Sequence, residues 1–393
     1  MEFKFKKILC FVLVIVMTIS LCGCTTFNNF KAAFIDPKDE ELKIVKIGVL
    51  EPLTGSDAAG AADEVKGIEI ANSIYGYVNG AKIELVYADN QSEVSLCDAA
   101  VNSLVEAGAV VILGSYDSVL TLASSDVIKE NRIPAIAITN TNPIVTSTNN
   151  YYFRVCYTDE FEGNAAANYI YNQMQTTNTA IFYKEGYDYA SALASAYKTE
   201  MENLSGVYDN IVTIKFSEGR GDFTELFENL QEISPDAIFF PGTLQDAKTV
   251  ISAAIEQGYN FNWVGTSKWD GINLEGVCYT LDYDPDMPTT KQAGVLAAKY
   301  KELYGESKAV PEATALGFDA YLLAASGLNG SDFIDDRELV TQAIEAVTSL
   351  EGATGYITMS SSGDPIKEVL VEKYENGTRS TVYTITQEGD ARE

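Results

Sequence analysis

Histidine does not occur anywhere in the 393 residues. Its absence removes the commonest general base near neutral pH and the commonest metal ligand, and it excludes Ser-His-Asp and Cys-His catalysis. Cysteine is sparse, six residues without a CxxC spacing, so a structural zinc site is not expected. Positive charge is scarce as well, with 27 Lys and Arg against 56 Asp and Glu and a net charge of −29. Phosphate backbones are held by Lys and Arg, so nucleic acid is not an expected partner, and an anionic lipid surface would repel the chain. Nor does the chain contain a spanning apolar run. The fourteen residues from Ile8 to Leu21 fall short of the roughly 20 needed to cross a bilayer.

That short run has another use. It follows Lys4, Lys6 and Lys7 and is interrupted only by Thr18 and Ser20, the order of a secretory signal. Leu21-Cys22-Gly23-Cys24 at its end resembles a bacterial lipobox, which implies a lipidated Cys24 as the first mature residue. Without residues 1–23 the chain keeps 24 basic and 55 acidic residues, a net charge of −31. Lipid, not charge, is then the expected membrane anchor, and two acyl chains suffice for stable attachment. Cys97, Cys156 and Cys278 remain and read as small buried residues. Residues 24–43 read as a tether that, as flexible coil, would span roughly 25 Å.

About 370 residues exceed what one hydrophobic core serves, so at least two lobes are expected. The spacing predicts strands at 45–50, 83–88, 109–113 and 135–138, with helices at 61–78, 93–107 and 118–130 between them. After Tyr151 the alternation resumes, with strands at 180–183, 211–216, 237–240 and 262–265 and helices at 190–203, 223–232 and 244–257. Apolar strands separated by helices mean parallel sheets covered on both faces. Helices at 291–304, 313–327 and 337–350 follow in succession, then a hairpin of 368–374 and 380–386 turning at Asn376-Gly377. The fold class is α/β, two doubly wound open-sheet lobes with a helix-rich tail.

Ligands of such sheets bind beyond the strand carboxyl ends. Two of those ends carry small hydroxyl residues, Gly114-Ser115-Tyr116-Asp117-Ser118 and Thr139-Asn140-Thr141-Asn142-Pro143. Ser118 stands where a helix N-cap belongs, with free N–H groups behind it that favour an anion. Together the two loops form a candidate carboxylate site that includes Tyr116, Asp117, Ser118, Thr139 and Thr141.

Lys46-Ile47-Gly48-Val49-Leu50-Glu51-Pro52-Leu53-Thr54-Gly55, with Gly67-Ile68-Glu69-Ile70-Ala71, resembles the opening of branched-chain amino-acid binding proteins, the type I periplasmic binding proteins that feed ABC importers. Tyr152-Phe153-Arg154-Val155-Cys156-Tyr157-Thr158-Asp159 with Glu162-Gly163 is similar to the family's lobe-crossing segment. Ala315-Leu316-Gly317-Phe318-Asp319-Ala320 and Thr354-Gly355-Tyr356-Ile357-Thr358 also match, so the resemblance covers residues 44–385.

The resemblance implies a three-segment hinge, with lobe 1 at 44–156 plus 285–352, lobe 2 at 157–284 plus 353–385, and a tail at 386–393. It implies a non-catalytic, monomeric binder without a cofactor, which hands a small amino acid or related carboxylate to an ABC permease. Ser118 matches a carboxylate-holding position, Thr139 and Thr141 match positions that hold both carboxylate and ammonium, and Tyr189 matches an aromatic laid over the ligand. Two positions depart from the pattern. Ser267 stands where the family places an acid for the ligand ammonium, followed by Lys268, and Gly60 replaces a first-loop tyrosine. Asp246 or Asp270 is the expected substitute acid, and Lys268 is expected in solvent. Were Lys268 to point inward, it would favour a solute with a second negative group or no ammonium.

Rival readings use the same residues. A sensor signalling to a partner receptor needs the same clamshell. A hydrolase would need a carboxylate pair, and none stands out. Asp282-Tyr283-Asp284-Pro285-Asp286 lacks the glycine and glutamate of an EF-type calcium loop, with Met287 and Ala293 at those positions, and reads as an acidic linker.

Overall fold

The computed structural model describes residues 43–207, 211–286, 288–305 and 308–386. The expected leader, Cys24, nearly all of the tether and the tail beyond Thr386 lie outside the described residues.

Strands β1 (Ile44–Glu51), β2 (Tyr77–Val78), β3 (Ala81–Asp89), β4 (Ala109–Gly114), β5 (Ala135–Ala137) and β6 (Tyr152–Arg154) form a sheet in the order β2-β3-β1-β4-β5-β6. All neighbours pair in parallel except β2 with β3. Between them run α1 (Ala58–Ile74), α2 (Cys97–Glu106), α3 (Ser118–Ala123), α4 (Ser125–Glu130) and α5 (Ile144–Ser147). The helix expected to reach residue 78 ends at Ile74. Asn79 and Gly80, both at positive φ, instead turn a hairpin that makes residues 77–78 a strand. The helix expected over 118–130 breaks at Ser124, whose hydroxyl donates to the Leu120 carbonyl at 3.0 Å.

A second sheet holds β7 (Thr179–Lys184), β8 (Val212–Phe216), β9 (Ala237–Phe239), β10 (Trp263–Gly265) and β11 (Cys278–Leu281). Its helices are α6 (Asp159–Asn168), α7 (Asp188–Ser205), α8 (Thr224–Ile233) and α9 (Leu244–Glu256). Next come α10 (Lys291–Tyr304), α11 (Glu312–Gly330) and α12 (Arg337–Glu345), which return to the first sheet. Leu296, Phe318 and Ile344 share one apolar core with Val45, Ile47 and Ile68. The backbones of α1 and α11 touch: a Cβ at Gly67 would lie 2.0 Å from the Thr314 carbonyl, and one at Gly317 would lie 2.2 Å from that of Glu64.

The last predicted helix stops at Glu345, because Leu350 already pairs with Ile357 in a small sheet of β12 (Leu350–Gly352), β13 (Gly355–Met359) and β14 (Pro365–Ile366). The predicted hairpin, β15 (Glu368–Glu375) and β16 (Thr378–Thr386), joins the second sheet through β11. The chain therefore passes between the territories of the two sheets three times.

Buried Lys367 sits where these passages meet. Its ammonium pairs with Asp282 at 2.5 Å and donates to the Val155 carbonyl (3.2 Å) and the Thr354 hydroxyl (2.8 Å). One side chain thus reaches all three crossing segments. Asp284 and Asp286, the rest of the acidic linker, pair with Arg379 at 2.7 and 3.1 Å.

Candidate functional site

Because β1, β4 and β5 are parallel, their carboxyl ends share one edge of the first sheet. β1 ends there in Glu51, which is fully buried and accepts the Tyr116 N–H at 2.7 Å. Glu64 of α1, equally buried, accepts the Thr139 hydroxyl at 2.5 Å. Glu51 Oε1 and Glu64 Oε2 are buried without a hydrogen-bond partner among the described residues, and the two carboxyls interact electrostatically. Burial pushes Glu51 well above the usual carboxylate range, and the charge of Glu64 raises it further. Burial likewise pushes Glu64 up to about 7, against the pull of Thr139, Glu51 and Lys268. Sequence reasoning passed over this pair; its one local signal is an acid closing an otherwise apolar strand.

The loop after β4 departs from expectation at its cap. Asp117, not Ser118, caps α3, accepting the Val119 N–H at 2.7 Å with φ at 70°. Asp117 is exposed, and its carboxylate already supplies the negative charge that this helix end favours. Ser118 is the first helical residue, half-buried, and its hydroxyl has no hydrogen bond among the described residues. Tyr116 explains Gly60. A Cβ at Gly60 would lie 2.5 Å from Cζ and 2.6 Å from the hydroxyl of Tyr116. The Tyr116 ring therefore rests on Gly60, so an aromatic from the second loop covers the position where the first-loop tyrosine is missing.

The loop after β5 is held from behind by buried Arg154. Its guanidinium donates to the carbonyls of Asn140 (2.6 Å) and Asn142 (2.9 Å) and pairs with Asp364 at 2.6 Å. Asn140 itself is buried and binds the neighbouring loop, donating to the Ser115 carbonyl (2.9 Å) and the Thr121 hydroxyl (3.0 Å). Thr139 and Thr141 are left half-buried on either side of it. Thr141 faces Asp159, the first residue of α6. Burial raises the Asp159 carboxyl to about 6, opposed first by the Thr141 hydroxyl. Its Oδ1 is buried without a hydrogen-bond partner among the described residues.

In the second lobe the organising residue is Glu162, fully buried on α6. Its Oε2 accepts the Tyr189 hydroxyl at 2.8 Å, and its Oε1 accepts the Ser267 N–H and the Thr280 hydroxyl, each at 2.6 Å. Glu162 thereby brings Tyr189 and Ser267 together. Neither expected substitute acid is free. Asp246 closes the N-terminus of α9 with Thr243 and pairs with Lys184 at 3.2 Å, while Asp270 pairs with Arg379 at 2.8 Å.

Lys268 is exposed, as expected, but its ammonium leans over the Tyr189 ring, 5.8 Å from the ring centre. It interacts electrostatically with Glu64 and Tyr116 of the first sheet's edge and with Tyr187 and Glu162 of the second lobe. Partial desolvation lowers its pKa, but Glu312, Tyr116, Tyr187 and Glu162 more than reverse that, so it stays charged. Cys97, Cys156 and Cys278 are free and buried.

A family model described as periplasmic binding protein matches residues 44–375. A Leu/Ile/Val-binding protein homologue of Brucella melitensis is 26% identical over 361 residues, covering 88% of this chain and 93% of that protein. An amino acid binding protein of Pseudomonas aeruginosa is 30% identical over 245 residues, covering 60% of this chain and 63% of its own. Among solved structures, a leucine binding protein from Thermotoga maritima superposes with a TM-score of 0.73 at 28% identity, over 87% of this chain and 98% of that one.

Proposed function

Since the chain belongs to the periplasmic binding protein family, we propose that it is the extracytoplasmic receptor of an ABC importer, anchored by a lipid on Cys24. It binds a small amino acid or related carboxylate between its lobes and delivers it to a membrane permease. It is a binder, not a catalyst, and it acts as a monomer. The lobes divide at residues 156/157, 284/285 and 352/353, and closing about these crossings encloses the solute.

What supports this reading is that two strand ends of one sheet carry hydroxyls, while Lys268, over the Tyr189 ring of the other lobe, interacts electrostatically with Glu64 and Tyr116 at that edge. The open Ser118 hydroxyl and those of Thr139 and Thr141 take the solute carboxylate. Tyr189, held by Glu162, covers the solute, while Tyr116 closes the side left open by Gly60. Asp159, with its unpartnered Oδ1 beside Thr141, receives an ammonium where the solute has one.

Thermal unfolding of the purified protein against a panel of amino acids, amides and carboxylates tests this. A true solute at 100 times its dissociation constant should add about 2.7 kcal/mol of stability. A Ser118→Ala/Thr141→Ala double variant should lose that gain. If it kept the full response to every solute, the site would lie elsewhere.

A further inference from the structure

Lys268 has a charge within the cleft and nothing to give it to. It belongs to a short turn, residues 267–269, fixed on both sides: the Ser267 N–H is held by Glu162, and the fully buried Trp269 donates its indole N–H to the Gly242 carbonyl at 3.0 Å. With both neighbours fixed, the side chain between them is directed into the cleft over Tyr189.

The nearby acids do not take up its hydrogens. Glu162 accepts from Ser267, Thr280 and Tyr189; Glu312 accepts the Asp282 N–H at 3.0 Å; Glu64 accepts from Thr139. Among the described residues Lys268 forms no ion pair within 4.0 Å and no hydrogen bond. Its charge is balanced at a distance, while its three N–H donors meet only water and the face of a tyrosine ring. An ammonium set over the cleft with idle donors is a site for an anion, since charge-assisted hydrogen bonds are roughly twice as strong as neutral ones.

We propose that Lys268 is the specificity-determining residue of the cleft and selects a solute with two anionic groups, an acidic amino acid or a short dicarboxylate. One carboxylate rests on the hydroxyls of Ser118, Thr139 and Thr141, and the second on the Lys268 ammonium. This rests on the binding reading above and narrows its solute class. It also gives the departure at residues 267–268 a purpose. Where an acid would receive an ammonium, this chain places a cation one residue later, beside a serine whose N–H is already engaged.

Calorimetry of the purified full-length protein in detergent at pH 7 with L-aspartate, L-glutamate, succinate, glutarate and L-leucine tests the proposal, alongside Lys268→Met and Lys268→Arg. At least one dianion should bind ten or more times tighter than leucine. Lys268→Met should weaken it roughly 10- to 100-fold and leave leucine within about twofold, while Lys268→Arg keeps most of the affinity. Thermal melts of both variants show whether they fold. Leucine binding as tightly as every dianion would overturn the proposal and leave the amino-acid receptor reading standing. So would a folded Lys268→Met protein with unchanged preference. If none of the five binds, the dianion proposal falls, and the wider panel of amino acids, amides and carboxylates decides the receptor reading by itself.

Discussion

Glu64 illustrates how far a single residue can leave its solution chemistry. Free, its carboxyl titrates at 4.5; in the folded chain, about 7. Between those values the folded protein holds more protons than the unfolded chain. The stabilising contribution of this carboxyl is therefore complete below pH 4.5 and fades as the pH rises through about 7. Asp159, Asp282 and Glu312, raised to about 6, 6 and 8, bend the curve in the same direction. The difference between variants is therefore the informative quantity. Glu64→Gln, which keeps the acceptor for Thr139, should flatten the fall in melting temperature between pH 4.5 and 8. Parallel pH profiles for parent and variant would count against a raised Glu64 carboxyl. At this scale little was legible in advance. Ser118, Thr139 and Thr141 stood out because hydroxyls beside strand ends are local features, whereas the Glu51–Glu64 pair joins residues from different elements.

At the scale of elements, sequence pattern performed best where one period repeats. Lys291–Tyr304 was read with its observed ends, and Leu244–Glu256 to within a residue, because an apolar stripe and a capping threonine delimit both. It did worst where short strands interrupt: Cys278–Leu281 has four residues and carries no alternation that distinguishes it from a loop. Yet that strand connects the second sheet to the terminal hairpin, and the segment just after it brings Asp282 to Lys367. Replacing Lys367 by Met would strand the buried Asp282 carboxylate. The expected loss is about 3–5 kcal/mol by chemical denaturation. Adding Asp282→Asn should recover part of it, since the uncompensated charge is then gone. Full stability in the single variant would mean that the crossings are held by backbone pairing alone.

For the whole molecule the dominant fact is acidity. Without residues 1–23 the chain carries −31, which anionic lipid headgroups would repel, so the proposed lipid on Cys24 is what would hold it at the membrane. Cys24→Ala should abolish fatty-acid labelling in a bacterial host and move the protein out of the membrane fraction. Persistent membrane association without the label would point to a protein partner instead. Among the described residues no helix is long and apolar enough to cross a bilayer.

Residue order alone already carried the leader-like start, the two sets of alternating strands and helices, and the hydroxyl-bearing strand ends, because each is expressed within a few consecutive positions. The direction of Lys268, the Tyr116 ring lying on Gly60 and the Glu162 contacts that unite Tyr189, Ser267 and Thr280 had to await the folded chain. Those contacts join residues as many as 118 positions apart. Local propensity has no reach over such separations; packing does, by choosing which side of a fixed turn each side chain can occupy.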